Sequence, residues 1–317
     1  MYCRVIPFQR TFDTYWLVYF VPEHILEDLK LYQVIEVPLK NSIEIGIILD
    51  IFENTPTWLN SEKIKSIIAI KDETIFLYPY QAKLIDFIAN TYITPAHNAL
   101  WVFFPRNLRG KIQKETLEKV QPKIYEYPYK NTHTLSVNQA KSFESIVNSD
   151  NKKILFYGVT GSGKTEVYRE LIKKNLDTWK QTLLLIPEII LGNQIGERMQ
   201  KVFWEDILVI SSTVTEAKKT QYWVDIKSWN AKIIIGTRSA LFYPYSNLGM
   251  VIVDEEHDQS YVSDSAPRYS SIDIVSEISN TLDIPIILAS GTPSVTSMYK
   301  AMKGEYQLVN LLEKYVG

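Results

Sequence analysis

The chain has 317 residues, 46% hydrophobic residues, a formal net charge of −2 and a single cysteine. This length allows two domains, each with its own core, and the small net charge gives no overall attraction to nucleic acid. One thiol, Cys3, excludes an intrachain disulfide and a cysteine-based zinc site. Because we find no signal peptide and no apolar run of about 18 residues, the sequence predicts a cytoplasmic protein with no membrane contact.

The first hundred residues predict a small β-rich domain, placed at residues 1–104. Its predicted strands are rich in β-branched and aromatic residues and are bounded by Pro, Asn or Asp. They are Tyr2 to Pro7, Tyr15 to Val21, Val34 to Val37, Ile43 to Phe52 and Lys65 to Ile70. A helix is predicted from Tyr80 to Tyr92, because the apolar residues of that segment share one face.

Residues 105–133 are predicted to form a linker, since this lysine-rich stretch loses its apolar periodicity. From Lys152 onward, apolar runs of strand length alternate with segments of helical composition. These runs are KILFY, TLLLI, DILVI, AKIIIG, GMVIVD and IPIILAS. Strands that are apolar on both faces and separated by helices predict an α/β domain with a doubly wound parallel sheet, placed at residues 134–317.

A glycine-rich turn, GVTGSGKT, follows the first of these runs and precedes a helical segment. In this order the motif predicts a phosphate-binding loop, because glycines let the backbone wrap around phosphates at a helix N-terminus. The predicted nucleotide-binding residues are Gly158, Thr160, Gly161, Ser162, Gly163, Lys164 and Thr165. Lys164 would reach the β- and γ-phosphates of a nucleoside triphosphate, and the Thr165 hydroxyl would join the Mg²⁺ shell.

Two acidic residues, Asp254 and Glu255, end the later run GMVIVD. Because ligands of such sheets lie beyond the carboxyl ends of the strands, both acids should face the phosphate-binding loop. Asp254 is predicted to hold Mg²⁺, and Glu255 to orient and deprotonate an attacking water. A solvated acidic turn is the alternative interpretation of the pair.

His257 follows the acidic pair and is predicted to couple it to Ser290–Thr292, which follow the next apolar run. An ordinary polar residue at a strand end is the alternative. His24, His97 and His133 are scattered along the chain and are assigned no chemistry.

Several motifs, in this order and spacing, resemble the primosomal protein N′ family of replication restart helicases. They are GVTGSGKTEVY, LLIPEI, IIIGTRSALFYPYSNLGMVIVDEEHDQSY, PRYS and SGTPS, within residues 134–313. The resemblance implies a RecA-like first motor lobe of superfamily 2 that uses ATP and Mg²⁺ for 3′ to 5′ translocation on DNA at stalled forks. It also implies forked or single-stranded DNA, the primosome and single-strand-binding proteins as partners.

The same resemblance assigns roles to further residues of the motor lobe. Gln139 corresponds to the family's adenine-reading glutamine, with an exposed helical residue as the alternative. Pro187, Glu188 and Gly236–Ser239, which include Thr237 and Arg238, correspond to segments that grip the DNA backbone. Tyr261, Arg268 and Tyr269 fall in the family's aromatic-rich loop, where they would stack on a base, or else form an ordinary surface loop.

The amino-terminal domain resembles the family's module that holds the 3′ end of a nascent strand. Phe12 and Asp13 match its pocket by letter, whereas counting back from Pro22 places Leu17 to Tyr19 there instead. Lys65 corresponds to a pocket lysine or is a solvated strand lysine. Lys40 stands where the family has a glycine.

The chain also departs from the family pattern. Residues 105–133 are too few for the family's winged helix, one cysteine cannot form its paired zinc sites, and no arginine follows Pro293. We therefore expect this polypeptide alone to bind ATP and DNA but to hydrolyse ATP and unwind DNA poorly. A non-catalytic, ATP-gated DNA-binding protein is the alternative, and a phosphoryl-transfer kinase is disfavoured.

Overall fold

The structure is a computed structural model, and it describes residues 1–9, 17–54, 64–72, 74–127, 134–187 and 207–314. The chain divides into two compact units. The first comprises Met1–Val120 and Ser265–Arg268, and the second comprises Gln121–Asp264 and Tyr269–Gly317. Each unit has a sheet of its own.

The first unit contains a five-stranded antiparallel sheet in the order β2-β1-β4-β3-β5. Its strands are β1 (Tyr2–Pro7), β2 (Leu17–Phe20), β3 (Val34–Leu39), β4 (Ser42–Phe52) and β5 (Ala69–Asp72). Cys3, Val5, Ile35 and Val37 are 0% exposed in its core. The predicted β-rich domain is confirmed. The fifth predicted strand, Lys65 to Ile70, overlaps β5 by only two residues.

Four helices accompany this sheet within the described residues: α1 (Glu23–Leu26), α2 (Pro79–Thr91), α3 (Ala96–Trp101) and α4 (Arg106–Gln113). The predicted helix corresponds to α2. Its Leu84, Ile85 and Ile88 are 0% exposed, because their spacing places them on one face.

The structure differs from the predicted linker, which begins at Pro105. Helix α4 occupies this stretch, and its Leu108 and Ile112 are 0% exposed. An ion pair adds to the attachment, since Lys71 Nζ lies 3.1 Å from Glu36 and 2.6 Å from Glu115. Two buried aliphatic residues four positions apart are enough to hold this short helix, although lysines and arginines dilute the apolar pattern.

The second unit contains a seven-stranded sheet in the order β12-β6-β11-β10-β7-β9-β8, and all its recorded pairings are parallel. Its strands are β6 (Lys153–Gly158), β7 (Gln181–Leu185), β8 (Leu208–Ile210), β9 (Ile233–Gly236), β10 (Leu248–Val253), β11 (Ile286–Ser290) and β12 (Gln307–Leu311). Every residue of β7, β10 and β11 is buried, as expected for strands covered on both faces. The predicted α/β parallel-sheet domain is confirmed.

The described helices of this unit are α5 (Val137–Val147), α6 (Lys164–Asp177), α7 (Glu216–Lys227), α8 (Ser271–Leu282) and α9 (Val295–Met302). The strand order places β6, β11 and β10 side by side. The loops that follow these three parallel strands therefore meet at one edge of the sheet, which we call the carboxyl edge.

At the opposite edge, which we call the amino edge, the second unit binds the segment that precedes its first helix. Asp225 on α7 is 0% exposed and accepts hydrogen bonds from Lys123 N (2.8 Å), Tyr125 Oη (2.6 Å) and Gln221 Nε2 (2.9 Å). The hydroxyl of Tyr127 accepts from Lys232 N at 2.8 Å, just before β9. Residues 121–127, predicted as linker, therefore belong to this unit.

Candidate nucleotide-binding site

The phosphate-binding loop connects β6 to α6 and has the backbone that its glycines permit. Gly161 and Gly163 have φ values of +82° and +83°, a region that glycine enters without steric cost. A Cβ on Gly158 would lie 2.9 Å from Lys164 Cγ, so only glycine lets the lysine stem pack this closely. Ser162 is 2% exposed, and its Oγ has no hydrogen-bond partner among the described residues. This cradle at a helix N-terminus, with an unsatisfied hydroxyl inside it, fits a phosphate group.

Lys164, the first residue of α6, lies between the loop and the acidic pair. Its Nζ donates to Gly158 O at 2.7 Å and lies 3.5 Å from Glu255 Oε1. The side chains of Lys164 and Glu255 are 10% and 29% exposed. The two motifs, about ninety residues apart in the chain, thus meet at the carboxyl edge as predicted.

Asp254 follows β10 and is held by two tyrosines. Tyr168 Oη, from α6, donates to Asp254 Oδ1 at 2.8 Å, and Tyr261 Oη donates to the main-chain oxygen of Asp254 at 2.6 Å. Burial raises the pKa of the Asp254 carboxyl above its usual value, while the bond from Tyr168 acts in the opposite direction. An oxygen ligand in this position suits a hard cation such as Mg²⁺.

Glu255 and His257 are joined to the segment after β11. Ser290 Oγ and Gly291 N each lie 3.4 Å from Glu255 Oε2, within hydrogen-bond reach. His257 Nδ1 lies 2.7 Å from Ser290 Oγ, and its Nε2 lies 3.4 Å from Thr292 Oγ1. The structure therefore brings His257 to Ser290–Thr292, as expected. Glu255 itself has a φ of +46°, which is unusual for a residue with a side chain.

Sequence reasoning missed Glu256, the acid between these two. Glu256 is 4% exposed, and its carboxylate accepts from Ser294 N (2.6 Å), Ser294 Oγ (3.1 Å) and Ser297 Oγ (2.9 Å). It therefore fixes the start of α9 directly after the Ser290–Thr292 segment. The available signal was the pair of serines three residues apart at a helix start, which is typical of capping.

The side chain of Gln139 is buried and makes hydrogen bonds at both of its amide atoms. Its Oε1 accepts from Ser136 N at 2.9 Å in a capping box at the start of α5, and its Nε2 donates to Ser162 O at 3.2 Å. The side chain is 2% exposed, not an exposed helical residue. Gln139 therefore braces the phosphate-binding loop, and its adenine-reading role stays a prediction.

The residues predicted to contact DNA occupy different environments. Thr237 is 5% exposed, and Arg238 Nη1 donates to Ser260 O (3.0 Å) and Val262 O (2.6 Å). Tyr261 and Tyr269 are 2% and 6% exposed, and Tyr269 packs edge-on against Phe242. Their rings are therefore not presented for stacking on a base, which corrects that expectation. Arg268 is exposed, Pro187 lies two residues after the end of β7, and Glu188 lies outside the described residues.

In the first unit, Lys65 Nζ donates to Lys40 O at 3.2 Å, at the turn between β3 and β4. Lys40 has a φ of +53°, the conformation that the family's glycine would adopt freely. Tyr19 is 3% exposed and donates to Pro38 O at 3.3 Å. Phe12 and Asp13 lie outside the described residues.

The donor set at the carboxyl edge suits Mg²⁺ held jointly with a nucleotide. Thr165 begins α6 beside Lys164, and Asp254 provides the carboxylate. The described part of the chain contains no group of three or more His, Cys, Asp or Glu side chains arranged to hold a metal by themselves. No helix in the described ranges is long and apolar enough to span a membrane.

Comparison with known proteins identifies the class. The DEAD/DEAH box helicase family matches residues 136–300, just over half of the chain. The chain belongs to the DEAD/DEAH box helicase family. Residues 5–105 also match the 3′ DNA-binding domain of PriA.

Curated relatives narrow the class to replication restart proteins. The chain is 33% identical to replication restart protein PriA of Helicobacter pylori J99 over 299 residues, covering 94% of this chain and 44% of the relative. The PriA of Rickettsia conorii is also 33% identical over 94% of this chain, and that of Bacillus subtilis is 36% identical over 64%. The resemblance predicted from the motifs is confirmed. The chain spans less than half the length of these relatives.

Solved helicase structures align less closely. The Pyrococcus furiosus Hef helicase domain gives a TM-score of 0.43 at 16% identity, covering 57% of this chain and 38% of that one. The UvsW helicase of bacteriophage T4 gives 0.40 at 17% identity, covering 78% and 83%.

Proposed function

We propose that this chain is the ATP- and DNA-binding part of a 3′ to 5′ helicase that acts in replication restart at stalled forks. One observation carries the nucleotide part of the proposal. The loops after β6, β10 and β11 meet at the carboxyl edge, where Lys164 Nζ lies 3.5 Å from Glu255 Oε1. Phosphate-binding and water-activating groups are thereby within one triphosphate's reach of each other.

Each residue at this edge has a distinct task. The loop glycines and Ser162 bind the phosphates, and Lys164 exchanges its bond to Gly158 O for the β- and γ-phosphate oxygens. Thr165 and Asp254 hold Mg²⁺, which when bound supplies positive charge to the phosphates. Glu255 orients the attacking water and accepts its proton. Ser290 and His257 keep the Glu255 carboxylate in place.

Contact with DNA can reach Asp254 through a continuous set of bonds. Gly236 ends β9, and Arg238, two residues later, donates to the main chain on both sides of Tyr261. The Tyr261 hydroxyl holds the main chain of Asp254. We propose that backbone phosphates of single-stranded DNA bind at Thr237 and Arg238. Arg268, which is exposed, is proposed separately as a cation for nucleic acid.

The first unit would bind the 3′ end of a nascent strand, as its match to the 3′ DNA-binding domain supports. The ammonium group of Lys65 beside the β3–β4 turn is the cation available for a terminal nucleotide. Primosomal proteins and single-strand-binding proteins would be the protein partners, in the cytoplasm.

For the 317-residue polypeptide alone we propose slow hydrolysis and no strand separation. The chain covers 44% of the Helicobacter pylori relative, and an arginine from the uncovered part that stabilises the transferred phosphate would be worth about 10³ to 10⁵ in rate. This polypeptide would then bind ATP and DNA in a coupled manner without turning ATP over rapidly.

Binding of the purified chain to forked DNA, with and without a non-hydrolysable ATP analogue, tests the proposal. We expect tighter binding with the analogue, and tighter binding to a fork with a 3′ hydroxyl than to one with a blocked end. Nucleotide-dependent binding without any single-turnover hydrolysis would favour a non-catalytic, ATP-gated DNA-binding protein. No response to nucleotide would contradict both.

A further inference from the structure

Tyr168 lies four residues after Lys164 on α6, so the two side chains share one face of the helix. Its ring is 2% exposed and packs edge-on against Phe156 of β6 at 6.3 Å. Its hydroxyl donates a hydrogen bond to Asp254 Oδ1 at 2.8 Å. An apolar residue would fill the same core position, so a phenol here has a purpose other than packing.

The chemistry of the donor suits a carboxylate that must still bind a cation. A lysine or arginine in this place would fix Asp254 equally well, but it would also cancel the negative charge that attracts Mg²⁺. A neutral hydroxyl fixes the orientation of the carboxylate and leaves its charge intact. Outer partners of metal-binding carboxylates commonly act in this way.

The bond also joins the two halves of the metal site. Thr165 and Tyr168 lie on α6, whereas Asp254 follows β10, and 86 residues separate the bonded pair. Main-chain bonding holds Asp254 from the other side, because Tyr261 Oη donates to its carbonyl oxygen at 2.6 Å. Tyr168 therefore links the helix that carries Thr165 to the Asp254 carboxylate.

We propose that Tyr168 is a positioning residue, which holds the Asp254 carboxylate in the orientation that receives Mg²⁺ on a bound nucleoside triphosphate. This inference rests on the proposed function of the site. The inference distinguishes two affinities for the nucleotide. The affinity without metal, which comes from the phosphate-binding loop, should not depend on Tyr168, whereas the gain in affinity from Mg²⁺ should.

The test is a titration of the 317-residue protein with a fluorescent ATP analogue, first in EDTA and then at increasing Mg²⁺. For Tyr168→Phe we expect metal-free affinity within about twofold of the wild type. The Mg²⁺ concentration for half-maximal tightening should rise about 3- to 10-fold, the effect of losing one hydrogen bond to the ligand.

Tyr125→Phe is the matched control. It removes a Tyr–Asp hydrogen bond of similar length from the same unit at the amino edge, where Tyr125 Oη donates to Asp225 at 2.6 Å. Its Mg²⁺ midpoint should equal that of the wild type. If Tyr168→Phe does not fold, 4-fluorophenylalanine at position 168 keeps the shape of tyrosine without its donor.

Three outcomes decide between the explanations. An unchanged Mg²⁺ midpoint in Tyr168→Phe overturns the inference, and so does an equal loss of affinity with and without Mg²⁺, which a merely structural role would produce. A wild type that binds no nucleotide would instead refute the proposed function. In an Asp254→Asn background, Tyr168→Phe should shift the midpoint no further.

Discussion

Two aspartates of the second unit, one at each edge of its sheet, form the same Tyr–Asp hydrogen bond but have different roles. Asp225 and Asp254 each accept a hydrogen bond from a buried or partly buried tyrosine, at 2.6 Å and 2.8 Å. Asp225 accepts two further bonds and lies within a closed cluster. Asp254 instead lies near Lys164 and near the second acid, Glu255. The charge of Glu255 raises the pKa of Asp254 further. The Asp225 carboxylate stabilises the fold, whereas the Asp254 carboxylate, beside these charged groups, is placed to bind a ligand.

The largest effect should come from removing the satisfied carboxylate. Asp225→Ala leaves three hydrogen-bond donors without their buried acceptor, and we expect it to lower the free energy of unfolding by about 3 kcal/mol. Chemical denaturation measures this loss. Asp177→Ala, at the exposed end of α6, is the control and should stay within about 0.5 kcal/mol. If the folded fraction of Asp225→Ala bound nucleotide more weakly than the wild type, the distinction between a stabilising Asp225 and a ligand-binding Asp254 would be wrong.

Next in size is the contrast between adjacent acids at the carboxyl edge. Glu255→Gln should slow single-turnover ATP hydrolysis about 100-fold without weakening nucleotide binding, because an amide cannot accept the proton of water. Glu256→Gln should instead lower the free energy of unfolding by about 1 kcal/mol, since it weakens the cap of α9. Rapid-quench kinetics and thermal unfolding measure the two effects. Equal hydrolysis rates in the two variants would show that Glu255 is not the base.

A smaller effect is expected at the link between the DNA segment and Asp254. Tyr261→Phe should reduce about threefold the factor by which an ATP analogue tightens binding of single-stranded DNA, because one hydrogen bond of the link is lost. Fluorescence anisotropy measures this factor. Tyr245→Phe removes a comparable bond, from its hydroxyl to Ala240 O at 2.8 Å, and should not change it. A similar drop in both variants would contradict the link.

The smallest effect sharpens the comparison by pH. Burial raises the pKa of Asp254, so the folded state binds this proton more tightly than the unfolded state. The stability that protonation supplies is present at low pH and is lost as pH rises through the raised pKa. Asp254→Asn should therefore be slightly more stable than the wild type at neutral pH without metal, and this gain should vanish in acid. A constant difference across pH would contradict the assignment.

Features that depend on neighbouring residues in the chain could be predicted from the sequence, whereas features that depend on residues far apart in the chain could not. The parallel sheet and the phosphate-binding loop follow from contiguous patterns, since β10 and β11 are apolar up to the final Ser290 of β11 and GSGKT supplies both glycines. The meeting of Lys164 and Glu255 follows from the general rule on strand ends.

Other features depend on contacts between distant segments, which one sequence does not reveal. The bond from Tyr168 to Asp254 spans 86 residues, and that from Tyr125 to Asp225 spans 100. Burial of Tyr261 could not be inferred, because its ring stands in a loop rich in polar residues. Helix α4 was missed because its two buried residues stand among five basic or amide side chains.

The hydrogen bonds of Gln139 connect the start of α5 mechanically to the phosphate-binding loop. Its single amide group ties the first turn of α5 to the main chain at Ser162, inside the cradle that grips phosphates. A shift of the N-terminus of α5 would therefore be passed to the phosphate-binding loop through the hydrogen bonds of this one side chain.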